Sequence, residues 1–205
     1  MYIVGLTGGI ASGKSAVSGM LREFGAYIVD ADELARAVVL PKQPAWLEIM
    51  ARFGPSILLP DGSIDREKLG DIVFNDKTAR QHLEDIVHPN IKARVLAEIK
   101  TASQQGKQIV VLDVPLLFEV GWQKLTDEVW VVYVDDSVQL QRLIKRNCLS
   151  AEQALARIHS QMQLTEKVRL ANVIIDNNGD LAATRRQVWE NWQRLEKKTA
   201  MCTIE

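Results

Sequence analysis

Gly8-Gly9-Ile10-Ala11-Ser12-Gly13-Lys14-Ser15, close to the N-terminus, decides how the rest of the chain is read. A glycine, four free positions and then Gly-Lys-Ser describe a loop whose backbone amides turn inward around a phosphate. Gly8 and Gly13 permit backbone angles that a Cβ would forbid. Gly9, Ala11 and Ser12 lie between them in the same ring of amides. Lys14 can reach the β- and γ-phosphates, and the Ser15 hydroxyl is the expected Mg²⁺ ligand. A helix beginning here would add the positive end of its dipole. Chance yields such a pattern in about 1% of chains this long, so the flanks decide. Residues 2–7 read as a short buried strand, and Val17, Met20, Leu21 and Phe24 carry helical spacing. Strand, loop and helix are the context the motif needs, and the expectation is a bound nucleotide.

With 205 residues, 47% of them hydrophobic, the chain can bury the core of one α/β domain with modest insertions. A net charge of −1 leaves no basic field to attract nucleic acid or an anionic membrane. Cys148 and Cys202 are far apart, with no CxxC. Their spacing allows a disulfide, but free thiols in a reducing cytosol are expected. A strand from residue 2 leaves no room for a signal peptide, and no apolar run approaches membrane-spanning length. These features describe a cytoplasmic protein without repeats, nucleic-acid partner or membrane partner, as a monomer or weak homo-oligomer.

The second apolar run, 26–29, ends in Asp30-Ala31-Asp32. Acidic residues closing a strand lie at the carboxyl edge of the sheet, where ligands of open α/β sheets bind. Asp30 serves equally well as the cap of a helix over 33–39. Asp32 is the better candidate for chemistry, accepting a proton from an attacking hydroxyl or helping to hold Mg²⁺. Residues 41–103 then turn helical. Helices are expected over 45–53, 66–74 (capped by Asp65), 78–87 and 91–99, the last two separated at His88-Pro89. Fold-level analogy places the phosphate acceptor in such an insertion.

A third strand over 108–112 ends in Asp113, either a second acidic element that positions Mg²⁺ or an ordinary strand end. A fourth strand over 129–134 is a nearly continuous apolar run, as a strand covered on both faces should be. After Ser137, Arg142 and Arg146 share one helical face, and Ser150 with Gln153 forms a capping box for the next helix. That helix carries Arg157, with Gln161 four residues on. Two arginine-bearing helices suit a lid over transferred phosphate, or merely a solvated face. A fifth strand over 172–175 leads into Asp176-Asn177-Asn178-Gly179-Asp180, where Asn177 either meets the nucleotide base or only makes a turn. A helix over 181–195 closes the fold, with a frayed tail from Lys197.

Taken in order, Leu6-Thr7-Gly8-Gly9-Ile10, Asp30-Ala31-Asp32, Asp65-Arg66, His88-Pro89, Pro115-Leu116-Leu117-Phe118-Glu119, the Arg142/Arg146/Arg157/Gln161 series and Val173-Ile174-Ile175-Asp176-Asn177 resemble the dephospho-CoA kinase family over roughly residues 2–180. The resemblance implies a three-layer α/β P-loop kinase fold, with a five-stranded parallel sheet flanked by helices, a helical acceptor-binding insertion and a lid. Its domains would be a nucleotide core (1–30, 107–136 and 170–205), an acceptor domain (31–106) and a lid (137–169). It implies ATP and Mg²⁺ as cofactors, dephospho-CoA as substrate and transfer of the γ-phosphoryl to the ribose 3′-hydroxyl. In the implied site, Asp32 is the general base, with Lys14 and Arg142 catalytic. Arg142, Arg146 and Asn177 join the loop and Ala16 around ATP, while Asp32, Arg66, His88, Leu117, Arg157 and Gln161 serve the acceptor.

Three departures stand out: the family usually has Gly at the position of Ala11, Thr at Ala16 and Asp at Asn172. Ala11 should cost little unless its backbone needs a positive φ. Ala16 removes a hydroxyl that could touch the α-phosphate. Two rival readings share the motif: a kinase for another nucleoside or nucleotide acceptor, and a non-catalytic nucleotide switch. The absence of an Asn-Lys-x-Asp segment for guanine weighs against a GTPase.

Overall fold

The computed structural model describes residues 1–201, so Cys202, expected as a free thiol, lies outside them. The elements run β1 (Tyr2–Gly8), α1 (Lys14–Glu23), β2 (Tyr27–Asp30), α2 (Ala31–Ala37), α3 (Pro44–Phe53), α4 (Arg66–Asn75), α5 (Lys77–Gln104), β3 (Ile109–Asp113), β4 (Glu128–Tyr133), α6 (Asp136–Asn147), α7 (Ala151–His159), α8 (Leu164–Arg169), β5 (Val173–Asp176) and α9 (Leu181–Met201). The strands form one parallel sheet in the order β2-β3-β1-β4-β5. Tyr2 pairs with Ile109 and Leu6 with Asp113 on one side of β1, and Val4 pairs with Glu128 on the other. Continuous apolar runs make β1, β3 and β4, because a parallel strand covered on both faces meets no water. β2, β3, β4 and β5 each sit one residue from the spans expected from hydropathy and β1 runs one residue further, to Gly8, since strand ends follow the hydrogen-bond ladder. Glu128 joins β4 because Trp130 and Arg194 satisfy its buried carboxylate.

The chain divides into two compact units, Asp30–Thr101 and the remainder. In the larger unit Val17, Met20 and Leu21 of α1 and Val188, Trp192 and Leu195 of α9 pack with Val4, Leu6, Val111, Trp130, Val132 and Ile175 of the sheet. The expected frayed tail from Lys197 is helical as far as Met201, continuing α9 beyond its last core residue, Leu195. In the smaller unit Ile49, Ile57 and Leu69 form a separate core, flanked by Phe53, Leu83, Ile86 and Val87.

Local caps appear where the sequence places them. Asp30 accepts from the amides of Asp32 and Glu33, Asp65 accepts from Lys68, and Ser150 with Gln153 closes a full capping box. His88-Pro89 departs from expectation, for α5 continues through it as one 28-residue helix. A proline inside a helix costs about 3 kcal/mol, here offset by burial of Ile91, Val95 and Ile99 on one side and Leu83, Ile86 and Val87 on the other. Asn90 adds a side-chain bond to the carbonyl of Ile86 at 2.8 Å.

Candidate functional site

The turn between β1 and α1 has the shape of a phosphate cradle. Gly13 caps α1 in the left-handed region, at φ 92°, with no side chain capping the helix and no acidic residue in its first turn. The orphan amides at that end and the helix dipole therefore favour an anion. Ser12 is wholly buried, yet its Oγ has no hydrogen-bond partner among the described residues. Gly8 corrects the sequence expectation: what excludes a Cβ there is space, since it would lie 2.9 Å from the Val132 carbonyl, rather than a positive φ. Ala11, by contrast, has φ 61°, which meets the condition under which a Cβ-bearing residue is costly at that position.

Around the cradle, Lys14 Nζ forms an ion pair with Asp113 at the end of β3, and the Asp113 side chain is 4% exposed. Both candidates thus reach one point, at the carboxyl edge of the sheet. Ser15 is exposed in the first turn of α1, and Ala16 donates its amide to the Gly13 carbonyl at 3.0 Å. A hydroxyl, one carboxylate and incoming phosphate oxygens suit Mg²⁺, which takes few protein ligands and keeps its waters. No cluster of three His, Cys, Asp or Glu able to hold a metal is found among the described residues.

Four side chains distant in sequence brace this loop: Asn177, Arg142 and Gln161, which were expected at the ligands, and Gln139, which sequence reasoning did not single out. Asn177 Nδ2 donates to the Ser12 carbonyl at 2.8 Å, its Oδ1 accepts from Thr184, and its own carbonyl accepts from Arg142 Nη2 at 3.0 Å. Both polar ends of the Asn177 side chain are therefore engaged within the protein. Gln139 of α6 is 3% exposed and donates to the Ile10 carbonyl at 2.8 Å, while Gln161 Oε1 accepts the Ile10 amide at 3.1 Å.

Below the loop, Lys167 is fully buried and donates to the Pro115 carbonyl at 2.7 Å and to Glu119. Burial holds its ammonium below the usual lysine range, with the nearby Lys14 charge acting the same way against the pull of Glu119. Glu119 also accepts from the amide of Met162. A polar residue inside an amphipathic helix, Gln139 in α6 and Lys167 in α8, is the one sequence signal for the two unforeseen braces, whereas Gln161 lies in the turn after α7.

The remaining expected residues scatter. Arg146 is exposed and donates to its neighbour Asn147, and Arg157 is exposed on α7. Leu117 is wholly buried, with its Cδ2 in the space a Cβ on Gly5 would need, so it packs the core and offers no surface to an acceptor. Its exposed neighbour in the same segment is Leu116. Asn172, whose role sequence left open, accepts the Val129 amide through Oδ1 at 2.7 Å, a task for an oxygen rather than a charge.

In the smaller unit Asp32 and Arg66 line one cleft of about 500 Å³, with Arg36 joining them above an apolar floor of Val39, Leu69 and Val73. Arg36 was not expected there. His88, exposed on α5, is not among the residues lining it.

A family model described as dephospho-CoA kinase matches residues 2–183. A dephospho-CoA kinase of Geobacillus kaustophilus is 52% identical over 197 residues, covering 95% of this chain and 98% of that protein. One from Symbiobacterium thermophilum is 52% identical over 193 residues, covering 94% and 81%. Among solved structures, the dephospho-CoA kinase of Campylobacter jejuni superposes with a TM-score of 0.74 at 33% identity, over 96% of this chain and 98% of that one. Shikimate kinase from Acinetobacter baumannii, at 18% identity and a TM-score of 0.53, shares the fold alone over 97% and 94% of the two chains. Identity at half of the aligned positions over nearly the whole length, on a P-loop kinase fold, means that the chain belongs to the dephospho-CoA kinase family.

Proposed function

We propose that the chain is an ATP-dependent kinase that moves the γ-phosphoryl of ATP to the 3′-hydroxyl of the dephospho-CoA ribose, completing coenzyme A. The observation that carries the nucleotide half is the uncapped head of α1, with the orphaned Ser12 hydroxyl and Lys14 beside it. Membership of the family supports the acceptor. Residues 31–106 are read as the acceptor domain and 137–169 as the lid.

The chemistry asked of the protein is positioning and charge stabilisation, since phosphoryl transfer needs little covalent participation. Amides of Gly9, Ala11 and Gly13 hold the phosphate oxygens, and Lys14 exchanges its Asp113 partner for them. Ser12 closes the loop through its amide on the Gly9 carbonyl at 3.1 Å and lends its free hydroxyl. Arg142, held at the loop through Asn177, adds positive charge where the transferred group gains negative charge. Ser15, with Asp113, would hold Mg²⁺, which neutralises the polyphosphate when bound. Asp32 takes the proton of the ribose hydroxyl, and Arg66 with Arg36 meets the acceptor's anionic groups in the same cleft. Arg146 and Arg157 belong to the closing lid, which keeps water from the phosphoryl group, while Gln161 stays on the loop through the Ile10 amide.

An ADP-coupled assay over a panel of nucleosides, nucleotides and dephospho-CoA tests this directly. Turnover restricted to dephospho-CoA is expected; preference for another acceptor would overturn the assignment. Lys14→Ala and Asp32→Asn should each abolish turnover with the fold intact. Near-native kcat in Asp32→Asn would remove Asp32 as the base.

A further inference from the structure

We propose that Gln139 and Gln161 are positioning residues that hold the two peptide groups of Ile10 and thereby keep Ala11 left-handed. The inference rests on the reading of this loop as an ATP site. Ala11 sits at φ 61°, a conformation that persists in a residue with a Cβ only where its surroundings over-determine it. Its φ is set by the orientation of the Ile10–Ala11 peptide. Gln139 holds the carbonyl of that same peptide at 2.8 Å.

Gln161 holds the preceding peptide through the Ile10 amide at 3.1 Å, so both planes around Ile10 are pinned from outside the loop. Neither post is loose. Gln139 is 3% exposed on α6 and fills the space that a Cβ on Gly9 would need. The turn bearing Gln161 is tied down at the next residue, where Met162 donates to Glu119 at 3.0 Å. On the far side Asn177 fixes the Ser12 carbonyl, so Ala11 is the one step between two clamped segments that carries the left-handed turn.

The test is a rescue. Gln139→Leu and Gln161→Leu are made in the wild-type chain and in Ala11→Gly, and a non-hydrolysable ATP analogue is titrated against each, with kcat, KM and Tm recorded. Each single variant should weaken analogue binding about tenfold, the order of the left-handed cost of one residue, and raise KM for ATP more than it lowers kcat. Glycine adopts the left-handed region freely, so both variants should return to within about twofold of Ala11→Gly in that background. Gly9→Ala, whose methyl displaces Gln139, should behave like Gln139→Leu.

A merely structural role would lower Tm and gain nothing from Ala11→Gly. Unchanged affinity in the single variants, or a loss that persists in the glycine background, overturns the proposal. If Gln139→Leu does not fold, Gln161→Leu on the surface turn decides alone. A wild-type chain that binds no ATP analogue sinks the proposed function together with this inference, whereas wild-type binding with unaffected variants sinks the inference only.

Discussion

Removing Glu119 should cost stability in a way that reveals the buried charge of Lys167. Glu119→Ala leaves an ammonium with no exposed side-chain surface and, among the described residues, only the Pro115 carbonyl as a partner. At 2.9 Å the pair is worth about 6 kcal/mol by Coulomb's law with an effective dielectric near 20. Glu119 is 23% exposed, so water screens part of that, and about 3 kcal/mol is the expected loss. For a chain of this length such a loss lowers Tm by roughly 6–12 °C.

The loss should also shrink on the alkaline side. Burial already holds Lys167 below its ordinary range, and Glu119 is what opposes that. Without Glu119 the folded-state pKa falls further below the unfolded one. Between the two the unfolded chain binds more protons, and stability rises with pH. Urea unfolding followed by tryptophan fluorescence, at pH 7 and pH 9.5, reads both effects. Lys167→Met in the Glu119→Ala background should recover about 2 kcal/mol, because Thr7 Oγ1 still serves the Pro115 carbonyl at 2.9 Å. A double variant as unstable as Glu119→Ala, or a single-variant loss below about 1 kcal/mol, would refute the reasoning.

Three further outcomes are expected. Gly13→Ala forces a Cβ onto φ 92° and into Asn177 Nδ2, so it should lose roughly 2 kcal/mol of stability and most ATP-analogue affinity in the same titration; unchanged affinity would contradict the cradle. Glu128 is drawn upward by burial, but hydrogen bonds from Arg194 and Trp130 and the Arg194 charge hold its carboxyl below the ordinary range. Its stabilisation is therefore present above about pH 4.5 and lost as pH falls through the lower folded-state value. The Tm gap between wild type and Glu128→Gln should be widest near neutral pH and narrow below pH 4.5. Asn172→Asp should change Tm by no more than a degree or two because the acceptor oxygen remains, whereas Asn172→Leu orphans the Val129 amide at a cost of about 1–3 kcal/mol.

Family resemblance was legible in the order of short motifs, but the roles within them were not. Leu117 shows why. In the run Pro115-Leu116-Leu117-Phe118-Glu119, nothing local says which leucine faces inward; the structure buries Leu117 and leaves Leu116 exposed. Pro89 is the converse case, a strong local break overruled by apolar packing along both halves of α5.

From sequence alone came whatever is decided within about four residues or by a single strand's burial. The phosphate loop, the strand–helix alternation, the caps at Asp30 and Asp65 and the box at Ser150 all follow from short-range hydrogen bonding and the period of apolar side chains. Tertiary structure alone decided the braces of the loop: Asn177 on Ser12, Gln139 and Gln161 on Ile10, and Lys167 with Glu119 beneath. Their partners lie 48 to 165 residues away. The sheet order β3-β1-β4-β5 sets the loops after those strands side by side, and a contact between chain-distant loops has no local signature, because its energy exists only once the strands between them have paired.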